Sequence, residues 1–389
     1  MKRLQDLRAG VIGTGFIGAL HVETLRRIGV TVAGVAGSSS ERARDSALKL
    51  GVPRGYADYA ELIADPTIDV VHITSPNGQH YLHAKAALMA GKHVVCEKPL
   101  TTTSAESLEL LRLARARGVV HAVNFNVRFY PLVREMRERV ASGSLGEIRL
   151  ITGSYLQDWL LYDTDWNWRL ENQGQLRAVD DIGSHWLDAV TYITGHHITE
   201  VMAELTTFIP IRKKPIGSVQ TFARATDAQQ TVDYAVQSED AGSILLRFDS
   251  GARGTLTVSQ VSPGRKNAIS LEIDGSASSV SWLGEQPDTL WIGHRDKPNE
   301  QLLRDPSLLS PRAAHLAGLP GGHAEGFSEA FKALYTAIYT DVARGTPSPS
   351  PDYATFADGV EEAIVGDAIA KSARESRWTP VERKQEESL

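Results

Sequence analysis

The sequence holds a single cysteine, Cys96, so no internal disulfide can form. That suits a reducing cytosol. Cys96 ends an apolar run and reads as a buried strand residue, not a reactive thiol. No apolar run approaches the ~20 residues needed to span a bilayer. Met1–Ala9 is polar and charged, with none of the character of a secretory leader. The expected location is cytoplasmic, with no membrane partner. The formal net charge is -6 and no long basic run is present, which argues against nucleic acid. Internal repeats are absent too.

What remains is an ordinary globular composition, 42% hydrophobic and 23% charged over 389 residues. At ~100–200 residues per domain, two domains are expected. The first third alternates β-branched runs with helical patterns. Ala9–Ile12, Val30–Val35, Val70–Thr74, His93–Cys96 and Val119–Val123 read as strands. Gly18–Ile28, Ser40–Leu50, His80–Ala90 and Leu108–Arg117 read as the helices between them. That alternation implies a parallel, doubly wound sheet over residues 1–128.

After residue 128 the pattern changes. Leu132–Ser142 and Ile182–Ile193 read as helices and Ile148–Tyr155 as a strand. Between about Val201 and Trp291 lie β-rich segments, Thr231–Gln237 among them, expected to form one large, mostly antiparallel sheet. Glu325–Arg344 and Tyr353–Arg374 read as closing helices. The expectation is an α+β domain over 129–380 for substrate binding and oligomerisation, then a charged tail over 381–389.

Gly13-Thr14-Gly15-Phe16-Ile17-Gly18 follows a strand and opens a helix. In that context a G-x-G-x-x-G string signals a dinucleotide site. Gly13 permits the tight turn, Gly15 lets the backbone approach a pyrophosphate, and Gly18 allows close helix–strand packing. An acidic residue usually meets the ribose diol at the end of the second strand. Here Ser38, Ser39 and Arg42 occupy that region, and no carboxylate stands directly at the strand end. Strict NAD use is disfavoured, a strong NADP preference likewise, and both cofactors stay open.

Ser75-Pro76-Asn77 and Glu97-Lys98-Pro99 end two further strands, where open α/β sheets bind ligands. Asn77 can meet a cofactor or merely make a turn. Lys98 can serve in proton transfer or lie on the surface. Asp181 and His185 are four apart, hence on one helix face, where they can hold one hydroxyl together. Equally, Asp181 can cap a helix and His185 can pack. No third ligand stands at a spacing that suggests a metal.

Together these motifs, with His80 and with Gly321-Gly322-His323, resemble the glucose–fructose oxidoreductase/inositol 2-dehydrogenase/MocA family over nearly the whole chain. The resemblance implies a Rossmann domain, a C-terminal open-sheet domain often used in oligomer contacts, and catalytic Lys98, Asp181 and His185. It implies His185 as acid/base, Lys98 assisting proton transfer, and Asp181 orienting the substrate hydroxyl. Phe16, Ile17, Ser75, Asn77, His80, Glu97 and Lys98 join the glycines as expected cofactor contacts. The stretch Glu171–Arg177 has one glycine where the family often has two adjacent.

The loop Asp163–Arg169 mixes aromatics with hydrogen-bonding groups, which suits sugars, although Trp166 and Trp168 can instead pack into the domain. Asn126, Arg128, Arg169, Arg177 and His323 are the other expected substrate contacts. Lys213-Lys214 reads as solvated surface. The expected function is hydride transfer between a secondary hydroxyl of a sugar, inositol or polyol and a nicotinamide, by a homo-oligomer (dimer or tetramer). The rivals are a redox-assisted glycosidase and a non-catalytic dinucleotide sensor.

Overall fold

The computed structural model describes residues 2–171, 176–216 and 230–383. Residues 172–175, within the glycine-poor stretch noted above, and 384–389 of the expected tail lie outside the described residues. In chain order the elements begin β1 (Arg8–Ile12), α1 (Phe16–Arg27), β2 (Thr31–Ala36), α2 (Ser40–Leu50), β3 (Gly55–Tyr56), α3 (Tyr59–Ala64), β4 (Val70–Ile73) and α4 (His80–Met89). Then come β5 (His93–Cys96), α5 (Ser104–Arg117), β6 (His121–Val123), α6 (Pro131–Ala141), β7 (Ile148–Leu156), α7 (Ser184–Thr194), β8 (Ile198–Thr206), β9 (Ile211–Pro215) and β10 (Thr231–Ala235). The rest are β11 (Ala241–Phe248), β12 (Arg253–Ser259), β13 (Ala268–Gly275), β14 (Ser279–Leu283), β15 (Thr289–Gly293), β16 (Glu300–Leu303), α8 (Pro311–Ala314), α9 (Phe327–Arg344), α10 (Phe356–Glu375) and β17 (Thr379–Pro380).

The chain divides into two units, Met1–Asn126 with Ala330–Ala363, and Val127–Glu329 with Ile364–Leu389. The grouping of 330–363 with the first unit does not match the expectation that 129–380 forms one domain. Its cause is the buried stripe of α9. Phe331 and Tyr335 set their rings against His21, with centroids 6.0 and 5.3 Å away. Further along, Lys2 N–H donates to the Ala343 carbonyl at 2.9 Å, and Phe356 N–H donates to His121 Nδ1 at 3.1 Å.

In the first unit six parallel strands run in the order β3-β2-β1-β4-β5-β6. This is the doubly wound dinucleotide-binding order, with its switch point between β1 and β4. The strands are buried nearly throughout, which is why they read as continuous apolar runs. Cys96 is fully buried, and desolvation pushes its thiol well above the usual value. The short β3 and α3 carry too little periodic signal to stand out in the sequence.

The second unit carries a nine-stranded sheet, β16-β15-β14-β13-β7-β12-β11-β8-β17. All its pairs are antiparallel except β7 with β12. Alternation places Ile151, Leu246, Leu256 and Ile273 in the core. Thr231–Gln237 departs from the expectation. Its strand β10 pairs with β9 in a separate two-stranded sheet. Lys213 and Lys214 lie on β9, where Lys213 bonds Asp233 across the ribbon at 2.5 Å and Lys214 bonds Glu171 at 3.0 Å.

At the middle of β7, Gly153 lets α7 approach the sheet. A Cβ there would lie 2.0 Å from the Ser270 carbonyl and 2.4 Å from Trp186 Nε1, which donates to that carbonyl at 2.8 Å. Gly153→Ala is expected to lower unfolding free energy by about 1–3 kcal/mol. Urea denaturation reads this directly, and an unchanged midpoint would refute the packing argument.

Candidate active site

The glycine turn joins β1 to α1 at the switch point. Gly13 has φ +104°, and a Cβ on it would lie 2.5 Å from the Thr74 backbone. A Cβ on Gly18 would lie 2.2 Å from the Gly13 carbonyl oxygen. Gly15 differs, because a Cβ there would meet nothing within 4 Å. Two glycines are thus demanded by the protein's own packing, and the third leaves backbone open to an outside group. Gly15 caps α1, followed by Phe16 and Ile17, with Phe16 exposed. The first-turn N–H groups of a helix favour an anion, so this cradle fits a dinucleotide pyrophosphate. At the end of β2, Ser39 caps α2 by accepting from Arg42 N–H at 3.2 Å, and Arg42 Nη1 donates to Ser38 Oγ at 3.2 Å. These groups are exposed.

Two turns at the carboxyl ends of β4 and β5 are braced by histidines. The His80 ring is buried, with its nitrogens 2.7 Å from the Pro99 carbonyl and 2.8 Å from the Ser75 carbonyl. His80 therefore ties the two turns together, and its nitrogens are taken up inside the unit instead of facing a cofactor. His83 Nδ1 meets Ser75 Oγ at 2.9 Å. Asn77 is half-buried and opens a short 3-10 turn. The Lys98–Pro99 peptide is cis and Lys98 is half-buried. Beside it the Glu97 carboxylate is buried. Its Oε1 meets His21 Nε2 at 3.0 Å and accepts from Asn124 Nδ2, and its Oε2 accepts from Lys98 N–H at 3.3 Å. Burial raises this carboxyl, but its pairing with His21, the charge of Lys98 and the Asn124 amide outweigh that and hold it at about 2. Glu97, read from sequence as a cofactor contact, thus spends both oxygens on its own unit.

In the second unit Asp181 lies inside a π-helical turn, Val179–Gly183, that runs into α7. Single π turns recur at functional sites. Asp181 is not an N-cap, since its N–H donates to the Arg177 carbonyl at 2.8 Å. Its Oδ2 accepts from Gln260 Nε2 at 2.8 Å, and its Oδ1 lies 3.1 Å from Arg169 Nε in a charge contact. Gln260 has no freedom to turn over. Arg177 Nη1 donates to its Oε1 at 3.0 Å, so the amide N–H₂ must face Asp181. Asp181 is thereby held as an acceptor. His185 stands one turn on, half-buried, its ring centroid 6.2 Å from that of Tyr155. Tyr155 donates to Asn267 Oδ1 at 2.6 Å, and burial keeps its phenol far above the usual value.

Several expected substrate contacts turn out to be internal. Arg177 is 2% exposed and its guanidinium serves Asp240, Gln260 and Ser238. Arg212 shares Asp240 from the other side at 2.8 Å. Next to them burial raises the Glu239 carboxyl, although it accepts from Arg177 and Val179 N–H at 2.8 and 3.0 Å. Arg128 is buried against Asp188, with contacts of 2.5 and 2.9 Å, and stacks on Tyr192. Trp166 packs edge-on against Tyr234 in a small core with Leu160, Leu170 and Val236. Trp168 instead stacks under the Arg169 guanidinium, 4.5 Å away. Asn126 is buried in the first unit, its Nδ2 without a hydrogen-bond partner among the described residues. His323 is exposed. The sequence reading passed over His21, Asn124 and Gln260. His21 occupies a buried position of α1 that apolar periodicity does not single out, and a lone Gln or Asn carries no periodic signal.

A switch-point cradle for a dinucleotide, followed by a large open-sheet unit bearing an Asp and His one turn apart, defines a nicotinamide-type oxidoreductase. Residues 7–125 match the family model described as "Oxidoreductase family, NAD-binding Rossmann fold", and residues 133–281 match the "GFO/IDH/MocA C-terminal domain". The chain belongs to the Gfo/Idh/MocA family of oxidoreductases. It is 29% identical to levoglucosan dehydrogenase of Pseudarthrobacter phenanthrenivorans, over 97% of this chain and 99% of the relative. Myo-inositol 2-dehydrogenase of Thermotoga maritima is 30% identical over 64% of this chain and 67% of the relative. A solved structure of levoglucosan dehydrogenase in complex with NADH and L-sorbose superimposes with TM-score 0.86 at 29% identity, covering 99% of this chain and 100% of that one.

The Glu97 carboxyl, held near 2 from a usual 4.5, carries a stability signature. A depressed folded-state value contributes stability that is complete above the unfolded value and is lost as pH falls through the folded one. Stability is expected to drop between about pH 4.5 and pH 2, and by less in Glu97→Gln. Denaturant titrations across that window check it, and parallel losses in both proteins would sink the assignment.

Proposed function

We propose that this protein transfers hydride between a secondary hydroxyl of a sugar, inositol or related polyol and a nicotinamide cofactor. The observation that carries the reading is Asp181, fixed as a hydrogen-bond acceptor by Gln260 and in charge contact with Arg169, one turn before His185. An acceptor and an imidazole so spaced suit a hydroxyl that must be oriented and then deprotonated. The named activities of the sugar and inositol dehydrogenases among its relatives support the same substrate class.

The glycine turn and the first turn of α1 would hold the cofactor's pyrophosphate, and the bound nicotinamide supplies the hydride chemistry. Asp181 accepts from the substrate hydroxyl and sets its direction. His185 Nδ1 is buried, so proton transfer falls to Nε2. Lys98, from the turn after β5, assists proton transfer and positioning. Both cofactors are expected to serve. No carboxylate stands directly at the end of β2 to repel a 2′-phosphate, and Ser38 with Arg42, beside Glu41 in the first turn of α2, is too small a set to demand one.

The protein is also proposed to be a homo-oligomer through the outer face of its large sheet. Register places Leu150, Leu245, Leu283, Trp291 and Leu303 on the face opposite the buried side chains, and all are exposed. Light scattering should give a dimer or tetramer mass, and a monomer at micromolar concentration would refute this.

The functional test is absorbance of reduced nicotinamide with NAD⁺ or NADP⁺ against sugars, inositols and glycosides. Turnover of a polyol with both cofactors is expected, and Lys98→Met and His185→Ala should each reduce it by roughly 10²-fold or more. Near-normal rates in those variants would remove their roles, and use of one cofactor alone would overturn the account of Ser38 and Arg42. Release of an aglycone only when NAD⁺ is present, without net reduction, would replace the dehydrogenase by a redox-assisted glycosidase.

A further inference from the structure

Beneath the Glu97–Lys98 turn the first unit buries a chain of polar groups that the proposed reaction does not use. Tyr339 Oη on α9 lies 2.8 Å from His72 Nε2. His72 Nδ1 lies 3.0 Å from His21 Nδ1, and His21 Nε2 lies 3.0 Å from Glu97 Oε1. All four residues are buried. Such a chain costs free energy unless every member is paired.

The ends of the chain set its direction. Glu97 is a carboxylate and can only accept, so His21 Nε2 carries a hydrogen and donates. Between the two facing Nδ1 atoms one hydrogen is shared. If His72 Nδ1 donates it, His72 Nε2 is bare and accepts the Tyr339 hydroxyl, and every group is satisfied. If His21 donates it, His21 is an imidazolium and His72 Nε2–H points at the phenolic oxygen. The phenolic hydrogen then has no acceptor among the described residues, which costs about 1–3 kcal/mol.

We propose that His21, His72 and Tyr339 are positioning residues, a one-directional chain of two neutral imidazoles and a phenol that fixes the Glu97 carboxylate and, through it, the backbone of Lys98, the residue expected to meet the cofactor and assist proton transfer. The inference rests on the reading of that turn under Proposed function. The chain is not a proton conduit. Burial drives the Tyr339 phenol well above its usual value and holds His72 well below its own, so neither exchanges a proton near neutral pH. It acts as a fixed row of dipoles ending on a carboxylate.

The test reads the chain without turnover. In protein labelled with ¹⁵N-histidine, long-range ¹H–¹⁵N spectra should show His21 protonated at Nε2 alone and His72 at Nδ1 alone. An imidazolium at His21, or His72 protonated at Nε2, overturns the proposal. NADH affinity, read by energy transfer from tryptophan, supplies the second arm. His21→Leu should weaken NADH by about tenfold, the loss of a buried hydrogen bond. His21→Gln should restore most of it, because an amide can donate to Glu97 and accept from His72. Tyr339→Phe removes one hydroxyl, should keep the melting temperature within a few degrees, and should still weaken NADH measurably. Equal affinities in His21→Leu and the wild type, or no rescue by glutamine, would overturn the positioning role. Absence of polyol turnover with both arms as expected would refute the proposed substrate class and leave this chain standing.

Discussion

A carboxylate buried at the carboxyl edge of a parallel sheet has to be met by donors, and Glu97 makes that demand on the first unit. Its two oxygens need hydrogen bonds that strand backbone cannot all supply. His21 on α1, Asn124 just after β6 and the Lys98 N–H provide them. Each partner comes from a different part of the unit, so satisfying one anion fixes a helix, a strand end and a turn relative to one another. Leaving one such partner out costs the desolvation of a charge, far more than the loss of an exposed ion pair. The grouping of residues 330–363 with the Rossmann unit follows from the same demand, because Tyr335 and Tyr339 close over His21 and His72 and keep water from them.

The second unit solves a related problem with more charge. Arg177, Arg212 and Asp240 are all buried, and Asp240 neutralises part of both cations. A buried ion pair adds little net stability over an apolar core, but removing one member is expensive. What the cluster supplies is direction. Arg177 dictates which end of Gln260 faces Asp181, and Gln260 then dictates that Asp181 accepts. Arg177, read in sequence as a substrate contact, is in the fold the residue that orients Gln260.

How much of this was legible in the sequence depended on the range of the interaction involved. The glycine turn was readable because its demands are local. Gly13 needs a left-handed φ, Gly18 needs to touch Gly13, and Gly15 needs open space, all within one turn of chain. The parallel strands were readable from burial on both faces, and the Asp181–His185 spacing from helical geometry. The allocation of α9 was not, since a periodic stripe says that a helix buries a face but not what the face meets. Strand β9 was missed because Lys213 and Lys214 are charged, and their partners, Asp233 across β10 and Glu171 in the preceding loop, are visible only in the fold. Arg128 and Arg177 were misplaced for a similar reason. Before the fold is known, nothing separates an arginine that waits for a substrate from one whose partner lies at Asp188 or Asp240, far along the chain.

Both units place an anion where the sequence motif suggested chemistry, yet they leave the two anions in different states. Glu97 has donors from its own unit on both oxygens, two on Oε1 and one on Oε2, so its main effect is to fix the residues that donate to it. Asp181 is held by one amide and one guanidinium, each on its own oxygen. Both of those partners lie within the second unit, the amide just after β12 and the guanidinium in the segment before α7, and together they fix how the Asp181 carboxylate is turned. A carboxylate braced by a helix, a strand end and a turn orients that turn, and one braced by an amide whose own direction is fixed is presented in a single orientation. On that physical ground the acid at the strand end belongs to the architecture of its turn, and the acid of the π-helical turn is the one on which the proposed substrate role rests.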